Sequence, residues 1–168
     1  MTLWSRSANL LGLGLAARCG LGLVWLAAGT SKLGDLAHSG RVVNAYRILP
    51  YQLAEFIGFA LPFVEIAIGV LLLLGCATRL LAGLSAVLLA AFVVGIVWVW
   101  AHGYRIDCGC FGGGGALRPD QSPTYFRDLL RDGGLLAVAG WLLIRPRSWL
   151  AIDNWLRGEA QLPLGQEN

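Results

Sequence analysis

Charge is what this chain has little of. Asp, Glu, Lys and Arg make up 14% of its 168 residues, and hydrophobic residues fill 57%; an ordinary soluble domain carries about 25% charged residues. That shortage excludes a conventional water-soluble globule. The net charge of +3 is small, and the basic residues are spread along the chain. No concentrated basic patch exists for nucleic acid, which is excluded as a partner. No internal repeat is present, which excludes a repeat array. Histidine is confined to His38 and His102, distant single residues that make only a weak zinc pattern with the cysteines.

What fills the chain instead is long apolar runs. Leu80 to Ala101 holds no charge across 22 residues, enough at about 1.5 Å per residue to cross a hydrocarbon core about 30 Å thick. Tyr51 to Gly75 is broken only by Glu55, Pro62 and Glu65, and Leu10 to Thr30 only by Arg18. A fourth run is shorter, with 12 uninterrupted apolar or small residues from Gly133 to Ile144. Extended back to Tyr125, it takes in Arg127, Asp128, Arg131 and Asp132. Asp128 and Arg131 lie three apart and can pair on one helix face, while an arginine stem can snorkel to the headgroups. The expected fold is therefore all-α: an integral membrane four-helix bundle with spans at about 10–31, 51–75, 80–102 and 126–145. Beyond Pro146, Trp149, Ile152 and Leu156 at helical spacing predict a short amphipathic C-terminal helix lying in the membrane interface. The chain divides into a transmembrane domain, 1–145, and an interfacial helix with tail, 146–168.

The first run, led by Arg6, resembles a signal peptide but extends beyond a typical apolar h-region. Arg18 directly before Cys19 spoils a lipoprotein cleavage site, so a retained helix is expected. Basic residues divide six against seven between the two faces, which leaves orientation open; Arg145 and Arg147 favour a cytoplasmic C-terminus.

The segments outside the spans carry the chemistry. The turn Cys76-Ala77-Thr78-Arg79 is very short, so the second and third spans are expected to be antiparallel neighbours. An even number of crossings separates the loop at about 31–50 from the loop at about 102–124. Lys32, His38, His102, Cys108 and Cys110 are therefore expected on one membrane face. The second loop reads Asp107-Cys108-Gly109-Cys110-Phe111-Gly112, followed by three more glycines. Two thiols separated by one glycine suit electron exchange as a dithiol/disulfide pair, because thiolate attack needs an accessible sulfur with neighbours that tune its pKa. Protonated His102 and Arg105 favour the thiolate, and Asp107 opposes it. The glycines let the segment wrap closely around its sulfurs. Cys19 reads as a small buried hydrophobe about 20 Å below the surface, and Cys76 falls at the opposite face. Metal binding at the Cys-x-Cys pair requires further ligands, with His38 and His102 the available imidazoles; no metal is assigned.

Arg18 and Glu65 fall about 21 Å from one surface in antiparallel helices. Matched depth predicts an ion pair, since an unpaired charge in hydrocarbon is costly. The pair locks the bundle or lines a polar pocket for a small redox carrier such as a quinone. Gly58, Ala60, Pro62, Ala67 and Gly69 permit close packing there.

Taken together, Arg18, Ala28-Gly29-Thr30-Ser31-Lys32-Leu33, Tyr46-Arg47-Ile48-Leu49-Pro50, Leu61-Pro62-Phe63-Val64-Glu65, Gly69 and Cys108-Gly109-Cys110-Phe111-Gly112 resemble the methylamine-utilisation MauE family, within the broader MauE/DoxX group of redox-associated membrane proteins. The resemblance covers about residues 10–145, and its most specific element is Cys-Gly-Cys-Phe-Gly. It implies a four-helix protein of the cell membrane that helps mature a disulfide-rich periplasmic enzyme subunit, the methylamine dehydrogenase client, alongside a thioredoxin-like extracytoplasmic partner. It also implies an extracytoplasmic cysteine loop and a functional likeness to membrane disulfide oxidoreductases that exchange electrons with quinones. The chain shows no second cysteine pair beside the first. Three functions compete at this point: a thiol–disulfide oxidoreductase, a non-enzymatic assembly factor or small-solute carrier, and a metal-handling membrane protein.

Overall fold

A computed structural model describes residues 2–145 except 112 and 119, with backbone alone for residues 2–10. The expected C-terminal interfacial helix lies outside the described residues. Those residues are mostly helical: α1 (Thr2–Lys32), α2 (Leu36–Ala45), α3 (Tyr51–Leu74), α4 (Thr78–Ala101) and α5 (Tyr125–Ile144), with a hairpin of β1 (Ile106–Asp107) and β2 (Gly115–Ala116) between α4 and α5. Three helices, over Leu11–Lys32, α3 and α4, are long and apolar enough to cross a membrane. Their outward faces carry Leu13, Leu23, Phe56, Phe59, Val87 and Val94, side chains that only hydrocarbon can cover without cost.

The helix ends follow from local chemistry. Pro50 precedes α3, where the missing N–H of proline costs nothing. Gly75 closes α3 in the left-handed conformation at φ 71°, with Gly75 and Cys76 N–H donating back to Leu72 and Leu71 carbonyls, the usual glycine stop. Helix α2 was not expected from the sequence, where 31–50 reads as a loop. It begins at Asp35, whose carboxylate accepts from the His38 N–H at 2.8 Å, an N-cap placed ahead of a ten-residue run too short to register as a span.

Glycines set the helix register. Gly22 of α1 lies against Gly69 of α3, and Gly29 against Pro62 and Ile66, while Gly40 of α2 meets Gly58 of α3 backbone to backbone. Small residues let helices approach closely where the surrounding lipid provides no hydrophobic drive. The principal packing pairs are α1 with α3, α2 with α3, and α4 with α5. The short turn joins α3 and α4 as an antiparallel pair, but each packs mainly elsewhere, and a cavity opens between them. One core nevertheless unites all four long helices. Leu21 and Trp25 of α1, Ile68 and Leu72 of α3, Leu81 and Leu89 of α4, and Ala139 and Leu142 of α5 are buried together. Trp25 Nε1 donates to Ser85 Oγ across this core at 2.9 Å.

The same register corrects the expected Arg18–Glu65 pair. With Gly22 opposite Gly69 and Gly29 opposite Pro62, Arg18 stands level with about Leu73, roughly 12 Å along the axis from Glu65. The expectation took both helices to start flush at one surface. Instead α3 begins about two turns beyond the end of α1, alongside α2. Glu65 is paired with Lys32 from the last turn of α1, Nζ to Oε1 at 2.5 Å, both side chains buried. Arg18 is itself buried, with 1% of its surface exposed.

Candidate functional site

The β-hairpin presents the two thiols. Ile106 pairs with Ala116 and Asp107 with Gly115, so residues 108–114 form the connection between the strands. Gly109, at φ 71°, has no room for a Cβ against Val42 and the Gly113 carbonyl; Gly114, at φ 120°, packs directly on Gly109. The glycine run is thus a close-packed fold around the sulfurs. Tyr125 of α5 fixes the hairpin: its hydroxyl donates to the Tyr104 carbonyl and accepts from the Ile106 N–H. Tyr46, just past α2, donates its hydroxyl to the Cys108 carbonyl at 3.0 Å, with its ring seated on Gly95 of α4.

The sulfurs of Cys108 and Cys110 lie 2.7 Å apart, within reach of a bond between them. Cys108 Sγ receives the Cys110 backbone N–H at 3.4 Å and the Arg131 Nη2 at 3.6 Å. Two N–H donors on one sulfur favour the anion of Cys108 over that of Cys110. The thiol hydrogen bond from Cys110, together with that from Arg131, holds Cys108 below the ordinary thiol range, against the opposing effect of burial. The same thiol hydrogen bond, with burial, pushes Cys110 far above that range. The pair is therefore asymmetric, one sulfur poised as thiolate and one kept as thiol.

Arg131 is a residue the sequence reading sent to the headgroups. It turns inward, pairing with Asp132 at 2.8 Å and Asp128 at 3.4 Å and covering the Phe111 ring with its guanidinium 4.9 Å from the centroid. The expected Asp128–Arg131 pairing is thus present. Tyr46, Asp128 and Asp132 join the site as well, and the half-buried phenol of Tyr46 has its pKa raised, first by burial and then by the neighbouring cysteines. The available signal was the charge cluster opening a membrane-length helix, since ionisable groups at such positions tend to serve a site.

The other expected site residues divide. Asp107 is at the site, with a carboxylate oxygen, Cys108 Sγ and an Asp128 oxygen within 4.8 Å of one another. His102 is elsewhere: its ring lies 3.9 Å from that of Trp98 and stacks on Tyr104. Arg105 is exposed and donates to the Gln121 carbonyl at 2.6 Å. Lys32, His38, Cys108 and Cys110 share one cavity wall, whereas Cys19 and Cys76 line none of the cavities around the dithiol. Asp107, Cys108 and Asp128 could offer three donors to a metal ion, but the Arg131 guanidinium already pairs with Cys108 and Asp128 and supplies a fixed cation there.

Two cavities meet at the sulfurs. One, of about 320 Å³, lies between α2, α3 and α4, with Val42, Ile57, Leu61, Leu88 and Phe92 in its wall beside Cys108 and Cys110. The other, of about 310 Å³, is polar and lined by Asp107, Thr124, Arg127, Asp128 and Arg131, again with both cysteines. A dithiol with an apolar chamber on one side and a polar chamber on the other can be approached by two chemically different reactants.

Fold and site together define a helical membrane protein that holds an asymmetric cysteine pair in a glycine-rich hairpin packed on its helices. The chain belongs to the MauE family: the family model described as methylamine utilisation protein MauE matches residues 10–145. It is 34% identical over 125 residues to the methylamine utilization protein MauE of Paracoccus denitrificans, covering 74% of this chain and 67% of that protein. No solved structure matches.

Proposed function

We propose that this protein is a membrane thiol–disulfide redox protein, with Cys108 as the attacking sulfur and Cys110 as the resolving one. It serves disulfide formation in extracytoplasmic proteins. By its family, the client belongs to methylamine utilisation, with the methylamine dehydrogenase subunit as the expected substrate. The observation that carries the reading is the asymmetry at the pair: two N–H donors, the Cys110 amide and the Arg131 guanidinium, converge on the Cys108 sulfur. Disulfide exchange needs a thiolate on one sulfur and a neighbouring thiol to release the mixed intermediate.

In this reading α5 is the fourth crossing, the hairpin faces the extracytoplasmic side of the cell membrane, and the polar cavity receives a thioredoxin-like partner. The apolar cavity fits a lipophilic carrier of the quinone class. Leu61, Leu88 and Phe92 provide an apolar wall, and His38 and Lys32 are polar side chains able to hold a carbonyl. Such a carrier supplies the acceptance or donation of two electrons. A carrier of this kind answers the lack of a second cysteine pair at the site.

Trapping tests the roles. Cys110→Ser leaves Cys108 to attack but nothing to resolve, so it accumulates a mixed disulfide with a thioredoxin-like partner; Cys108→Ser accumulates none. Equal adduct from the two variants, or none from either at normal protein abundance, overturns the proposal.

A further inference from the structure

A third, very small chamber lies on the inner side of the dithiol. Its volume is about 20 Å³, and Glu65 of α3, Cys110 of the hairpin, and Arg131 and Asp132 of α5 line it. One water molecule needs roughly 10–15 Å³ of such space and two to four polar partners. Two partners are at hand. Glu65 Oε2 and Asp132 Oδ2 are buried oxygens with no hydrogen-bond partner among the described residues, on side chains exposed by 0% and 2%. Their other oxygens are engaged, Glu65 Oε1 by Lys32 and Asp132 Oδ1 by Arg131. Leaving two buried carboxylate oxygens unsatisfied is costly, so the arrangement calls for a shared donor.

Resting on the redox reading above, we propose that this chamber holds one water molecule bridging Glu65 and Asp132, and that this bridge carries the Cys110 proton during disulfide exchange. The step balances as follows. The Cys108 thiolate attacks a partner disulfide, forming a Cys108–partner bond and releasing one partner sulfur as thiolate. Cys110 then gives its proton through the water to a carboxylate, and its sulfur attacks Cys108. The Cys108–Cys110 bond forms, the Cys108–partner bond breaks, and the second partner sulfur leaves as thiolate. The dithiol has lost two electrons and the partner disulfide has gained them. Disulfide formation in the partner runs this sequence backwards: a partner thiolate attacks Cys108, the Cys108–Cys110 bond breaks, the released Cys110 sulfur takes a proton back through the same water, and a second partner thiolate closes the partner disulfide and frees Cys108. In the mixed disulfide Cys108 carries no charge, but burial still disfavours the Cys110 thiolate, so a proton acceptor beside it speeds resolution. Glu65 and Asp132 are thus positioning residues that act through the water.

The probe is the aromatic disulfide DTNB at one equivalent, mixed with the pre-reduced full-length protein in lipid nanodiscs. Attack by Cys108 releases one thionitrobenzoate and resolution by Cys110 a second, so the two steps appear as separate phases. Glu65→Gln and Asp132→Asn are each expected to retain a first phase, whose rate in that variant is the reference for its second. The second should slow at least about tenfold, toward the ~10²–10⁴-fold that positioned proton-transfer groups contribute. In the variants the second phase should become proportional to hydroxide concentration, whereas the wild-type phase should not; Asp132→Glu should restore the wild-type profile in part. The groups that face Cys110 and define this profile are Cys108, Asp107, Tyr46, Lys32, Glu65, Asp128, Arg131 and Asp132. An intact first phase reports that a variant has folded, and Asp132→Asn serves where loss of the Lys32 partner disrupts Glu65→Gln. A second phase unchanged in rate and pH profile in both variants overturns the proton bridge and leaves the redox reading standing. Absence of the first phase in the wild type refutes the redox reading itself.

Discussion

At Cys108 an amide and a guanidinium converge on one sulfur, and the guanidinium belongs to a residue whose two flanking carboxylates also need it. Removing Arg131 therefore acts twice: it deletes a donor to the thiolate and leaves Asp128 and Asp132 without their cation. Both effects disfavour negative charge on sulfur. Thiol reactivity rises with pH through the thiol pKa, and a lowered pKa keeps that rise at lower pH. Arg131→Gln is expected to move the alkylation rise of Cys108 to higher pH and to slow iodoacetamide labelling at pH 7 about tenfold. Arg131→Lys, which keeps the charge but loses the planar fork, should fall between. A profile unchanged in Arg131→Gln would show that the guanidinium does not tune the sulfur. Cys108 and Cys110 were legible as a candidate site from the Cys-Gly-Cys spacing alone. Arg131 was not, because a charge near a helix end reads equally as a snorkelling side chain, and only the folded hairpin brings a sulfur within 3.6 Å of it.

The helices owe their positions to contacts in which nothing larger than hydrogen fits. A Cβ on Gly58 would lie 2.5 Å from both the Gly40 Cα and the Ser39 carbonyl oxygen, backbone atoms that cannot turn aside. Gly58→Leu is accordingly expected to push α2 off α3, at a cost of about 1–3 kcal/mol from overpacking. A lowered thermal midpoint in detergent checks this, as does loss of protection at Tyr46, whose hydroxyl holds the Cys108 carbonyl from the end of α2. An unaltered midpoint would mean that α2 is not seated on α3 through this glycine. The three long apolar helices were evident from run length; α3 and α4 begin and end within a few residues of the apolar runs, whereas α1 begins at Thr2, well ahead of the apolar run from Leu10. Helix α2 was hidden because ten residues with one Asp cap carry little pattern. The hairpin was hidden because its strands are only two residues long, and their pairing depends on Tyr125 from another element.

For the whole molecule, the packing pairs leave the dithiol between an apolar chamber and a polar chamber, with Cys76 at the far end of α3. In intact cells a membrane-impermeant maleimide is expected to label Cys108 and Cys110 after reduction while leaving Cys76 untouched; labelling of Cys76 alone would invert the proposed orientation. The sequence by itself determined that this chain enters a membrane, since charge this sparse and apolar runs this long admit no other solvent. It also determined that Cys108 and Cys110 stand side by side, because one intervening glycine allows little else. Tertiary structure decided which charge meets which. Counting residues from a shared surface matched Glu65 with Arg18, but glycine-to-glycine contacts shift α3 by two turns and give that carboxylate to Lys32. The same packing brings Glu65, Asp132 and Cys110, distant in the chain, around a space the size of one water. Helix register is set by side-chain volumes on two facing surfaces at once, a property of the pair of helices that neither sequence segment carries alone.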